Sequence, residues 1–194
     1  METINQENLT YKGTRILLGN EKRLLLNNMI DILFKNEFNE ISIPIIQYQN
    51  TFINKVGEEN NNLMFNFKDR GNRDLCLAPE YTAIVQQLSN TTFKQQKDVK
   101  LFYIQECFRG EKPQAGRYRQ FTQLGVEIIN PTDSNKTLKI LEQLACMLIE
   151  KVTKNYQLNE NAIRGLDYYK DGQGFEISCE ELGAQKQICG GGEY

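Results

Sequence analysis

The sequence predicts an α+β fold: a mainly antiparallel sheet with a few long helices packed against it. Three observations carry that prediction. Strand-like stretches come in hairpin-related pairs, FNFKDR with DLCLAP and KLFYIQECF with RYRQFTQLGVEII. Two segments show the 3.6-residue apolar spacing of amphipathic helices. No internal repeat or low-complexity linker divides the 194 residues, a length that supports one domain with its own core.

Residues 1–10 are polar and read as a flexible N-terminus ahead of a single unit over 11–194. From Asn20, apolar residues at Leu25, Met29, Ile32 and Leu33 follow helical spacing, with Asn20 as N-cap. EISIPII alternates through Ile41, Ile43 and Ile45 as a strand; Pro44 inside it argues for an edge or an interface. GEENNNL is a loop. FNFKDR and DLCLAP form a hairpin turning at Gly71-Asn72. Pro79 suits the first turn of a helix EYTAIVQQL. KLFYIQECF and RYRQFTQLGVEII are strands, rich in apolar and aromatic residues. PTDS starts a helix TLKILEQLACMLIEKVTKNY, with Leu138, Leu141, Leu144 and Leu148 along one side. AIRGLDYY and GFEISCE read as strands, and CGGGEY as a glycine-rich turn.

Composition narrows the chemistry. A net charge of -2 provides no global basic field for nucleic acid. No apolar run approaches a membrane span, and the first residues lack signal-peptide or transit-peptide character, so the expectation is a cytoplasmic protein with no membrane partner. Five cysteines without a CxxC pair read as small, mostly buried apolar residues, and no metal site is expected from them. Histidine is absent. That excludes Ser-His and Cys-His nucleophilic systems and imidazole-ligated zinc. What remains suits charge stabilisation around phosphates.

The stretch from Phe108 to Ile129 concentrates the candidates. As a strand with period two, residues 117–129 place Arg117, Arg119, Phe121, Gln123, Gly125 and Glu127 on one face. Tyr118, Gln120, Thr122, Leu124, Val126 and Ile128 take the other. The first face runs from cations through an aromatic ring and an amide to a bare glycine and an acid. An acid among Val126, Ile128 and Ile129 needs partners. Gly125 is expected to open room beside it, giving a polar cleft whose cationic end suits phosphate, since arginine's planar fork binds two oxygens.

These residues resemble motif 2 of a class II aminoacyl-tRNA synthetase, in the form found in histidyl-tRNA synthetases. The matching residues are Arg109-Gly110-Glu111-Lys112-Pro113-Gln114, then Gly116 to Phe121, then Gln123, Gly125 and Glu127. LAPEYTAIV, RGLDYY (residues 164–169) and LGAQKQICGGGEY resemble three further segments of that family. YKGTR and FNEISIPII resemble its start and its motif 1, with Pro44 at the motif proline. The resemblance implies an antiparallel catalytic sheet flanked by helices that converts histidine and ATP into histidyl-adenylate for transfer to tRNA(His). Mg²⁺ would accompany the phosphates, and a homodimer would form through motif 1.

By the same resemblance, Arg109 and Arg164 are the catalytic cations on the α-phosphate, and both also serve the bound histidine. Arg109, Glu111, Arg117 and Phe121 bind ATP: Glu111 at the adenine amino group, Arg117 at the outer phosphates, Phe121 under the ring. Glu80 and Thr82 take the α-amino group and Gln123 positions the amino acid. Glu127 and Tyr169 read the imidazole, with Tyr168 nearby. The pattern departs from the family at Ala78 (usually Arg), Tyr81 (usually Gly), Gly110 (usually His) and Glu193 (usually Arg). Tyr81, between the two amino-group ligands, is expected to crowd the pocket. The insertion domain, motif 3 and the anticodon-binding domain have no counterpart in these residues, so the catalytic fold is expected to be incomplete at its C-terminal side, with an unpaired sheet edge. The alternative implied by those absences is a non-catalytic paralogue, such as the regulatory subunit of ATP phosphoribosyltransferase.

Overall fold

The computed structural model describes residues 19–53, 62–112, 117–162, 170, 174–182 and 186–194. Arg164, Tyr168, Tyr169, the 1–10 segment and Pro113 to Gly116 lie outside the described residues. The architecture is α+β, as the hairpins predict. Helix α1 (Glu21–Lys35) comes first, with Glu21 in its first turn and Lys35 in its last, both signs matched to the helix dipole. Asn20 stands at the N-cap, though its side chain makes no capping bond.

Three three-stranded sheets follow among the described residues. In the first, β5 (Val99–Phe108) and β6 (Gln120–Ile129) form a long antiparallel ladder, and β1 (Asn39–Glu40) lies parallel to β5. In the second, β4 (Asp74–Leu77) runs between β2 (Ile46–Tyr48) and β3 (Asn66–Lys68), antiparallel to both. In the third, β8 (Gly174–Ser178) runs between β7 (Gln157–Asn159) and β9 (Gln187–Gly192). The β3–β4 turn falls where GNR predicts it, with Asn72 at φ 59.

The alternation along β5 and β6 separates two cores. Even-numbered Phe102, Ile104, Leu124, Val126 and Ile128 pack against α1 and α3 (Ser134–Ile149), around Leu33, Leu144 and Leu148. Odd-numbered Leu101, Tyr103, Cys107 and Ile129 face a second core with Phe52, Cys76, Tyr81 and Val85. Asp133 caps α3 by accepting from the Lys136 backbone N–H at 3.0 Å. All five cysteines are free thiols, and Cys76, Cys107 and Cys179 are buried.

Four element predictions need correction. EISIPII is not one strand: Pro44 has no N–H to donate, and the chain crosses there from one sheet to the next. The Ile41 N–H still bonds to Phe102 O, while Ile45 O already accepts from Ala78 N–H. Pro79 is not in a first helical turn; helix α2 is Thr82–Asn90, because Glu80 takes up the N–H groups of Thr82 and Ala83. The helix expected to reach Tyr156 stops at Ile149, where its buried stripe ends at Leu148 and β-branched Val152 and Thr153 form a turn into β7. CGGGEY is largely strand. Gly191 lies opposite Phe175, and a Cβ there would come within 2.7 Å of that ring, so glycine lets the aromatic lie across β9. Arg119 precedes β6, with its backbone carbonyl accepting from the Arg109 N–H at 2.9 Å.

Candidate active site

The site lies on the odd-numbered face of β5 and β6, between the start of α2 and the end of β9. Its centre is Glu127, 7% exposed. Thr82 Oγ1 donates to Glu127 Oε1 at 3.0 Å, and the Tyr194 hydroxyl donates to Oε2 at 2.9 Å. Burial pushes the acid up to about 7; the bonds from Tyr194 and Thr82 oppose the shift and the charge of Glu80 adds to it. Burial also raises Tyr103, which stays protonated.

Two expectations are reversed here. Gly125 does not open empty space. It pairs with Tyr103 across the ladder, and a Cβ at 125 would sit 2.0 Å from Tyr103 Cζ. The room left by the missing side chain holds that phenol ring. Nor does Tyr81 crowd the pocket. It is fully buried, its ring lies 5.4 Å from that of Tyr103, and its hydroxyl donates to Glu106 O at 2.9 Å. The apolar core is the lower-energy place for its ring, and the carbonyl satisfies its one polar group.

Glu80, 4% exposed, accepts from Thr82 N at 2.7 Å and Ala83 N at 3.0 Å, capping α2. Thr82 and Glu80 therefore stand beside Glu127, as expected, with polar atoms already engaged by the protein. Gln123 accepts from Cys107 Sγ at 3.0 Å. That thiol is pushed up to about 12 by burial, so it remains a donor.

Towards the loop, Arg109 Nε donates to Pro79 O at 2.9 Å, and the guanidinium lies 5.2 Å over the Phe121 ring. Arg117 is 3.5 Å from Glu111, while Arg119 Nε donates to Glu111 O at 3.1 Å. Glu111 Oε2 and Arg117 Nε are buried without a hydrogen-bond partner, an uncommon condition that marks polar capacity left for something else. The predicted residues thus fall into linked pairs: Thr82, beside Glu80, bonds Glu127, Gln123 pairs with Cys107, and Arg109 lies over Phe121. Arg117 and Glu111 stand at the loop end of the site.

Tyr194 is the functional candidate that sequence reasoning missed. The signal was present in LGAQKQICGGGEY, but a glycine run read as a turn hides the strand that carries Tyr194 to Glu127. Glu193, the departure beside it, accepts from Ser134 Oγ at 3.1 Å and pairs with Lys170, which holds its carboxyl below the usual range. It ties the end of β9 to the start of α3.

The family model described as histidyl-tRNA synthetase matches residues 20–159. The chain belongs to the histidyl-tRNA synthetase family. Among its relatives, the histidine–tRNA ligase of Methanococcus vannielii is 38% identical over 154 residues, covering 76% of this chain and 36% of that protein. The chain thus spans about a third of the length of that relative and of the histidine–tRNA ligase of Methanococcus aeolicus. In structure it is similar to the apo histidyl-tRNA synthetase of S. aureus, with TM-score 0.71, 24% identity, and coverage of 94% of this chain and 60% of that one. It is also similar to a Bacillus halodurans protein described as an ATP phosphoribosyltransferase regulatory subunit/histidyl-tRNA synthetase, with TM-score 0.63, 17% identity, and coverage of 80% and 41%. These structural likenesses establish the class II synthetase fold. Within this family member, the described residues contain no group of three or more His, Cys, Asp or Glu side chains able to hold a metal, and no helix long and apolar enough to cross a membrane.

Proposed function

We propose that this chain is a histidine-activating core: it binds histidine and ATP and aligns them to form histidyl-adenylate and pyrophosphate, acting in the cytoplasm and passing the histidyl group to tRNA(His) in a full-length context. One observation carries this reading. A buried acid, Glu127, accepts from the Thr82 and Tyr194 hydroxyls on the face of the sheet that also carries Gln123 and Phe121, with Arg109 over the Phe121 ring. A carboxylate has about four acceptor positions, so two donors leave about two for a ligand N–H. An imidazole supplies that N–H, and a side chain without one leaves a buried acceptor unpaired.

The nucleophile in such a reaction is the histidine carboxylate, already ionised near neutral pH, so no general base is required. The site's work is alignment and charge stabilisation. Arg109 meets the charge that builds on the α-phosphate, with Arg164 as its proposed partner. Arg117 and Glu111 would serve the outer phosphates and the adenine amino group; they form an ion pair at 3.5 Å, and Glu111 Oε2 and Arg117 Nε make no hydrogen bond. The described side chains do not form a cage for Mg²⁺, so the ion would arrive with the phosphates, as is usual for nucleotide sites. Tyr168 and Tyr169 remain proposed contacts of the imidazole.

The test is histidine-dependent ATP–pyrophosphate exchange. Exchange above that of an Arg164→Ala control is expected, and its absence sinks the reading for this chain. A non-catalytic regulatory paralogue is favoured by one feature: Arg109 covers a face of Phe121 on which adenine would stack. Calorimetry showing histidine binding without ATP binding selects it. A homodimer is proposed through the β2–β4–β3 sheet, where Ile46, Tyr48 and Phe67 are exposed beside Pro44. A monomer by light scattering at micromolar concentration would overturn that.

A further inference from the structure

Strand β5 carries a thiol into the face of the sheet that holds the site. Cys107 is fully buried and pairs with Phe121 across the β5–β6 ladder. Diagonal neighbours on one face of an antiparallel pair stay within reach of a long side chain. Here Cys107 Sγ donates to Gln123 Oε1 at 3.0 Å. Burial pushes the thiol up to about 12, so it is an S–H group and a donor near neutral pH. Two residues on, Arg109 lies over the ring of Phe121, the cross-strand partner of Cys107.

An amide has two ends of opposite character: an oxygen that accepts and an NH₂ that donates. Turned over, Gln123 would set Nε2 against sulfur, a weak acceptor, and the S–H would lose its oxygen. With Oε1 taken by the thiol, Nε2 is the end that remains. Among the described residues it has no hydrogen-bond partner. We propose that Cys107 is a positioning residue for the bound amino acid: its thiol fixes the Gln123 amide by the oxygen, so Gln123 meets the ligand as a donor through Nε2 and takes the histidine carboxylate. The α-ammonium has only donors and no use for that end. This rests on the reading of the odd-numbered face of β5 and β6 as the histidine site. Cys107 itself touches no substrate.

Cys107→Ala removes the donor and lets the amide turn over. Histidinol, which carries a hydroxymethyl group in place of the carboxylate, is the comparison ligand. By calorimetry, histidine affinity is expected to fall about fivefold in Cys107→Ala while histidinol affinity changes by less than about twofold, the scale of one hydrogen bond directed at the carboxylate. A partly unfolded variant loses affinity for both ligands by the same factor, so their ratio is insensitive to damage to the fold. Cys107→Ser supplies a hydroxyl donor to the same oxygen, and the ratio is expected to return to that of the unaltered chain. In a Gln123→Ala background, removing the thiol is expected to leave the ratio where it is, because the amide it orients is gone. Equal losses for histidine and histidinol in Cys107→Ala overturn the proposal. So does a Cys107→Ser ratio no better than that of Cys107→Ala, or an undiminished effect of the thiol in the Gln123→Ala background. If the unaltered chain binds neither ligand, the reading of this face as the histidine site falls and the role of Cys107 falls with it. Histidine binding that survives Cys107→Ala unchanged overturns the role of Cys107 alone.

Discussion

Glu127→Gln is expected to cost the chain at least about thirtyfold in histidine affinity while making the ligand-free protein more stable at pH 8, because truncating a buried charged partner costs roughly 2–5 kcal/mol in binding. Glutamine keeps the shape and one acceptor oxygen. It lacks the charge that makes the bond to an imidazole N–H strong. The stability gain has the opposite origin. Glu127 is pushed up to about 7 in the folded chain from an ordinary value of 4.5. Above pH 7 the acid is ionised in both folded and unfolded states, and the folded state carries the full cost of a buried charge. As the pH falls from 7 towards 4.5 the folded acid takes up a proton before the unfolded one does, and the cost is relieved. Converted at 1.36 kcal/mol per pH unit, the cost at pH 8 is roughly 3 kcal/mol. Reorienting Thr82 or Tyr194 to meet the new amide N–H group offsets part of it. Urea unfolding of both proteins at pH 8 and pH 5 checks the sign. The variant should gain stability at pH 8 and most of that gain should vanish at pH 5. A variant less stable at pH 8 would show that Glu127 is a structural acid whose hydrogen bonds outweigh its burial.

That trade between stability and binding also explains what the sequence could and could not disclose. The alternation along Arg117 to Ile129 identifies the two faces of β6 correctly, since the period-two rule needs no partner strand. The helix start at PTDS and the turn at Gly71-Asn72 are equally local, and both are found. The failures at the site concern residues whose setting is fixed by something far along the chain. Gly125 looks like an opening until Tyr103 is known to stand opposite it. Tyr81 looks like an obstruction in a pocket until the core behind α2 is built. Tyr194 contacts Glu127 across 67 positions, and no periodicity near either residue encodes that meeting. The glycines misled in the same way twice, at 125 and 191: each is small because an aromatic ring from the neighbouring strand lies across it, at Tyr103 and Phe175.

Arg109→Ala is expected to lower histidine-dependent pyrophosphate exchange by about 10²–10³-fold, the scale of removing one preorganised donor from a developing anion. Motif 2 carries a second cation, Arg117, proposed for the outer phosphates, and the surroundings of the two differ. Arg117 already has a carboxylate beside it, Glu111 at 3.5 Å, so part of its charge is compensated. Arg109 has no carboxylate partner among the described residues. Its Nε is fixed to Pro79 O, its backbone N–H to Arg119 O, and its guanidinium plane rests over Phe121. Those contacts hold the side chain at one place while leaving the two terminal nitrogens of the fork for an anion. Arg109→Lys separates charge from geometry. Lysine retains the charge but cannot make the two-pronged contact, nor can it both bond Pro79 O and face a phosphate. It should recover only part of the lost rate. If the arginine acts mainly as charge builds in the transition state, the loss falls on kcat, with KM for histidine and ATP changed by only a few fold. A loss confined to KM would mean that Arg109 binds substrates without favouring the reaction. Exchange within about threefold of the unaltered chain would remove Arg109 from the chemistry and leave Arg164 as its sole proposed cation on the α-phosphate.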